Sequence, residues 1–110
     1  MTLPIDVDAP QVAQWLRESR DFVLIDCREA SEHATARIEG SVLLPMSQWA
    51  ERQPDLAAFH GKHVVVHCHH GGRSLRVTQW LRENGFPDAQ NLSGGIDAWS
   101  QEIDQSVPRY

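Results

Sequence analysis

An α/β fold with an open, mostly parallel sheet of about five strands is predicted by three observations. Three short apolar runs are continuous rather than alternating: Phe22-Val23-Leu24-Ile25, Val42-Leu43-Leu44 and Val64-Val65-Val66. Continuous runs of this length fit strands buried on both faces, as in a parallel sheet. Segments with helical spacing lie between them, so strand and helix alternate along the chain. The chain has 110 residues, enough for one domain covering residues 1–110.

The elements follow in order. A weaker strand is expected around Ile5-Asp6-Val7. Asp8-Ala9-Pro10-Gln11 has the marks of a helix start: an acceptor for orphan amides, a proline in the first turn and a glutamine placed to reach back. Val12, Trp15 and Leu16 then predict a buried stripe. Short helices are expected around Glu32–Arg37, Pro54–Phe59 and Ile96–Gln101. The segment Arg73–Asn84 places Val77, Trp80 and Leu81 on one face and stops at Gly85, with Phe86 set to contact Leu81 and Pro87 beyond. A last weak strand is expected from Ala89 to Leu92.

Composition narrows the function classes. Hydrophobic residues make up 41% and charged residues 23%, as in an ordinary globular protein. No apolar run approaches the ~20 residues of a spanning helix, and the first residues carry no secretory signal, so a cytoplasmic protein away from membranes is expected. A net charge of −5 argues against nucleic-acid binding. A monomer is the default for one compact domain. The two cysteines, Cys27 and Cys68, make no disulfide framework.

The charges are unevenly spread. No Asp or Glu lies between Leu56 and Arg82, a stretch that holds Lys62, Arg73, Arg76 and Arg82 and five of the six histidines. An acid-free basic segment in an acidic chain suggests a local anion site. Within it, Val64-Val65-Val66-His67-Cys68-His69-His70-Gly71-Gly72-Arg73-Ser74 reads as strand, loop and helix start. Ligands of open α/β sheets bind beyond the carboxyl ends of strands, which is where Cys68 falls. The amides from His69 to Arg73 are expected to converge as an anion nest, with Gly71 and Gly72 supplying positive φ. The helix dipole and Arg73 are expected to lower the Cys68 pKa from ~8.5 and make it a nucleophile.

The Cys68-x4-Arg73-Ser74 loop after a valine-rich strand resembles the rhodanese-homology sulfurtransferases. Leu24-Ile25-Asp26-Cys27-Arg28-Glu29, Glu32-His33 and Arg37-Ile38-Glu39-Gly40-Ser41 are similar to that family's first motif, and Asn91-Leu92-Ser93-Gly94-Gly95-Ile96-Asp97-Ala98-Trp99 to its Gly-Gly-x-x-x-Trp motif. The ending Val107-Pro108-Arg109-Tyr110 is similar to tails of small bacterial members. The chain departs from the pattern at His33, at Ala36-Arg37 and at Cys27, where valine is common.

The resemblance implies a three-layer fold with strand order 3-2-4-5-1 and no cofactor. It also implies sulfur transfer through a Cys68 persulfide. The donor would be thiosulfate-like or a small persulfide, and the acceptor cyanide or a thiol. A persulfide carrier or thioredoxin-like protein is a further expected partner. The substrate-binding set would be His69, His70, Gly71, Gly72, Arg73 and Ser74, with Arg73 holding the donor oxyanion.

Three other readings compete. A cysteine phosphatase or arsenate reductase uses Cys-x5-Arg, one residue longer than the loop here. A non-catalytic binding module would not require Cys68 and Arg73. A zinc site would need ligands beyond His67, Cys68, His69 and His70, since adjacent residues rarely converge on one metal; no metal is expected. Trp15, Trp49, Trp80 and Trp99 are expected to anchor the core, and Asp26 with Arg28 to form a structural polar network. The strand order that the resemblance implies sets the strand ending at Cys27 beside the one ending at Cys68, so both thiols would approach one edge. Cys27 is expected to fill core volume there, with Cys27→Val nearly silent. The alternative is a thiol that resolves the persulfide or an oxidised Cys68 by a disulfide.

Overall fold

The computed structural model describes residues 3–110. Five strands, β1 (Asp6–Val7), β2 (Val23–Asp26), β3 (Val42–Leu43), β4 (Val64–His67) and β5 (Gln90–Leu92), form one sheet in the order β1-β5-β4-β2-β3. Every pairing is parallel. This is the predicted α/β class, with the strand order that the family resemblance implies.

Four helices lie between the strands, α1 (Ala9–Arg17), α2 (Ala30–Thr35), α3 (Trp49–Arg52) and α4 (Gly72–Glu83), and α5 (Gly95–Glu102) follows the last strand. Among the described residues, no helix is long and apolar enough to cross a membrane.

The continuous valine run of β4 is explained by its two covered faces. Val65 packs with Leu24 against Val12 of α1 and Ile96 of α5. Val64 and Val66 point the other way, into a cluster with Ile25, Cys27, Cys68, Val77 and Leu81. Val64, Val65 and Val66 are each fully buried, and each such side chain contributes roughly 1.5–3 kcal/mol.

The caps follow the sequence closely. The Asp8 carboxylate accepts from Gln11 N–H at 3.0 Å, and Arg17 closes the last turn of α1. At the end of α4, Gly85 takes φ +98°, and Phe86 N–H reaches back to Leu81 C=O at 3.0 Å. That bond defines the Schellman turn predicted there.

Some expectations change. Leu16 is exposed, and Ala9, Val12 and Ala13 form the buried stripe of α1. Residues 53–59 wind as a 3-10 helix rather than an α-helix. The tryptophans behave as anchors: Trp99 is buried, Trp15 packs on its cluster, and Trp49 meets Trp80 edge to face at 5.6 Å.

Candidate active site

Cys68 follows β4 directly, at the carboxyl edge of the sheet. The chain turns over His69 and His70 and enters α4 at Gly72. Only the first of the two loop glycines needs its freedom. Gly71 caps α4 at φ +114°, while Gly72 is already helical.

The turn brings donors to the sulfur. Gly71 N–H donates to Cys68 Sγ at 3.0 Å, and the Ser74 hydroxyl lies 3.3 Å away. The Cys27 thiol at the end of β2 completes the surroundings. β2 and β4 run in register, with Ile25 opposite Val66 and Asp26 opposite His67. The next step of that register sets Cys27 against Cys68, on the same face of the sheet.

Cys27 is buried in the apolar cluster, as expected of a residue that fills core volume, and it lies on the strand beside Cys68. The neighbouring Cys27 thiol is the main cause that brings the Cys68 pKa down to about 4, with help from Ser74 and Gly71 and against the cost of burial. The same contact, with burial, pushes the Cys27 thiol far up.

Opposed shifts in one pair have a measurable consequence. The unfolded chain holds both thiol protons below ~8.5, whereas the folded chain releases the Cys68 proton near pH 4. Stability from Cys68 is therefore present above the ordinary thiol pKa and is lost as pH falls toward 4. We expect the stability gap between the wild type and Cys68→Ser to widen from pH 5 to about pH 8 in urea melts.

Arg73 does not stand free at the mouth. Its guanidinium grips Glu32 of α2 through two bonds of 2.7 and 2.9 Å. That pairing holds the Glu32 carboxyl down at about 2. The Tyr110 hydroxyl donates to the same carboxylate at 2.8 Å and accepts from Arg28 at 2.8 Å. The Tyr110 ring stacks on His69 at 4.0 Å, and His70 stacks on the other side of His69. His70 is largely exposed.

Gly71 N–H and the neighbouring Cys27 thiol thus act on Cys68 more directly than Arg73, whose guanidinium is engaged by Glu32. We expect Arg73→Ala to move the pH midpoint of Cys68 alkylation less than removal of Cys27 does.

Beneath the mouth lies the polar network expected at Asp26 and Arg28. Both side chains are fully buried, and Arg28 bridges to Asp26 through Nε at 2.9 Å and Nη2 at 2.7 Å. Burial alone would push the Asp26 carboxyl up, but Arg28, His67 and His33 together hold it below its usual range. Buried His67 turns Nδ1 to the Cys68 carbonyl at 3.3 Å, and burial lowers its pKa.

The loop is held from below by α5. Ile96 N–H donates to Cys68 C=O at 2.9 Å and Asp97 N–H to His69 C=O at 3.1 Å. Gly95 makes that approach possible: a Cβ there would sit 2.5 Å from both carbonyl oxygens. Gly95, Glu32 and Tyr110 join the site although sequence reasoning places none of them there; each stands in a segment that carries the family resemblance.

The Rhodanese-like domain family model matches residues 8–102. A protein named Sulfurtransferase from Allochromatium vinosum is 30% identical over 96 residues, spanning 87% of this chain and 88% of that one. A crystal structure of a rhodanese-like domain protein from Staphylococcus aureus superposes with a TM-score of 0.79 at 27% identity, over 97% of this chain and 99% of that one. A human single-domain sulfurtransferase gives 0.77 at 25% identity, over 91% and 98%. Three plant relatives from Arabidopsis thaliana and Zea mays are longer, and the chain spans only 30%, 20% and 21% of them. Family model, loop and sheet order agree, and the chain belongs to the rhodanese-like domain family, close to single-domain sulfurtransferases.

Proposed function

We propose that the chain transfers sulfane sulfur from an anionic donor to a thiophilic acceptor through a persulfide on Cys68. The observation that carries this is the thiol itself. A cysteine at a strand's carboxyl end, ringed by hydrogen-bond donors and held near pKa 4, is a thiolate at neutral pH. Sulfur, unlike phosphorus, needs no wide cradle of equatorial oxygens, and the four residues between Cys68 and Arg73 form a tight one.

With thiosulfate, the thiolate attacks the outer sulfur. The S–S bond of the donor breaks and sulfite leaves with the electron pair. Cys68 then carries the persulfide anion. Cyanide takes the outer sulfur as thiocyanate and returns the thiolate. Splitting one transfer into two displacements predicts ping-pong kinetics. The donors that hold the thiolate stand ready for the persulfide, whose charge stays beside the same loop.

Intact-mass measurement after incubation with thiosulfate tests the reading. One added sulfur atom, mapped to Cys68 and removed by cyanide, is the expected result. A protein that forms no adduct with thiosulfate or with a small persulfide overturns it. The same adduct series, run with both donor types, ranks them.

A further inference from the structure

We propose that Cys27 is a positioning residue for the nucleophile: its S–H donates to Cys68 Sγ, so that the pair carries one negative charge and that charge rests on Cys68. The inference deepens the sulfur-transfer reading and rests on Cys68 being its nucleophile. It also rests on a second thiol that the continued register of β2 and β4 carries opposite Cys68.

The first support is proximity in a closed space. Cys27 is fully buried and Cys68 is 1% exposed, and both belong to one apolar cluster. Two thiols facing each other from neighbouring strands in that space cannot both ionise readily, since like charges in a low-dielectric space repel strongly. The proton that remains is best used as a hydrogen bond to the neighbouring thiolate. The pair behaves as a dyad that shares one proton.

The second support says which sulfur takes the charge. Gly71 N–H aims at Cys68, as does the N-terminal end of α4. Cys27 sits beside the Asp26 carboxylate, which opposes a second anion. The other charged groups facing the pair favour the same assignment. Arg73 on α4 is attracted to the Cys68 charge, though Glu32 on α2 neutralises much of its own. His67 on β4 is buried with a lowered pKa and adds no fixed charge.

The third support is a shortage of protons. Ser74 has one hydroxyl proton and three acceptors in reach: Cys68 Sγ, Gly71 C=O and Asn91 Oδ1. Asn91 Oδ1 is the closest of the three. Its amide is oriented by donating from Nδ2 to Asp6 at 2.9 Å, so Oδ1 must accept from Ser74. The serine proton is then largely committed elsewhere. Cys27 has the side-chain proton left to give to the thiolate.

Thiolate absorbance in the ultraviolet, followed through a pH titration, tests the proposal without requiring reagent access. It also requires no sulfur transfer. Three variants are compared with the wild type: Cys27→Ala removes the donor without adding volume, Cys27→Val removes it while filling the space, and Cys27→Ser restores a donor. Circular dichroism and thermal melts show which variants fold, and either donor-free variant suffices. The Cys68 midpoint is expected to rise by about one unit or more without the donor, and to return toward the wild type in Cys27→Ser. A donor-free variant that titrates with the wild type overturns the proposal. So does a Cys27→Ser midpoint as high as that of Cys27→Ala. Sulfur-adduct mass on the same proteins is a separate readout: its absence in the wild type would sink the sulfur-transfer reading and leave the titration result standing.

Discussion

Thiosulfate:cyanide transfer falls by at least about a thousandfold in Cys68→Ser, the size of loss that follows removal of a covalent nucleophile. The reason is the acid strength of the attacking atom. Cys68 is held near pKa 4 and is fully ionised at neutral pH, whereas a serine hydroxyl in the same place stays protonated. Serine is also a poorer thiophile, so even a rare alkoxide would form no stable bond to sulfane sulfur. The fold should survive, because the serine oxygen can accept from Gly71 N–H as Sγ does at 3.0 Å. The measurement pairs steady-state turnover with a thermal melt and with intact mass after donor treatment. A folded Cys68→Ser protein that keeps a tenth of wild-type turnover, or still gains a sulfur atom, would place the chemistry elsewhere.

The parts legible in the sequence were those written in local periodicity. The apolar runs at 22–25 and 64–66 became the central parallel strands β2 and β4, whereas the run at 42–44 became the edge strand β3, where Val42 stays exposed and only Leu44, just beyond it, is buried. Asp8 and the Leu81–Phe86 turn are local too, since a cap and its partner lie within five residues. Leu16 misled because a stripe of α1 has only the width that α5 and the sheet leave it; Ala9 and Ala13 take the close contacts instead.

The site divides along the same line. The loop from Cys68 to Ser74 was visible as a unit, and Gly71 N–H does turn onto the sulfur. Arg73 was read from its own neighbourhood, where it has no acidic partner. Its actual partner, Glu32, is 41 residues away and arrives through the placement of α2 over the edge of β2. Tyr110 on His69 has the same origin, whereas the place of β2 beside β4, which brings Cys27 near Cys68, followed from the family resemblance and only the exact register did not. Register between strands is a tertiary property. A one-residue slip of β2 against β4 would send Cys27 to the opposite face of the sheet. Nothing in either strand's composition reports that choice.

Gly95→Ala should be the most damaging small substitution outside the reactive thiol. The added Cβ would lie 2.5 Å from Cys68 O, 2.5 Å from His69 O and 2.7 Å from His69 C. These are backbone atoms, so no rotamer change relieves the contact. Either the Cys68–Gly71 turn lifts or the start of α5 retreats. Both movements break the bonds from Ile96 N–H and Asp97 N–H, each worth about 1 kcal/mol. Gly95 also sits at φ +58°, where an L side chain costs roughly 1–2 kcal/mol. With the overpacking added, a loss of about 3 kcal/mol or more is expected, which lowers Tm by on the order of 10 °C or more in a domain of this size. Folded molecules should also lose sulfur transfer by about tenfold or more, because the turn that aims Gly71 N–H at Sγ is displaced. Gly40→Ala is the control. It has a positive φ of +87° with nothing within 4 Å of its Cβ, so it bears the backbone strain alone. If the two variants melt together and Gly95→Ala keeps full turnover, the close approach of α5 is not what holds the reactive loop. If Gly95→Ala melts well below Gly40→Ala, the difference between them measures the collision itself.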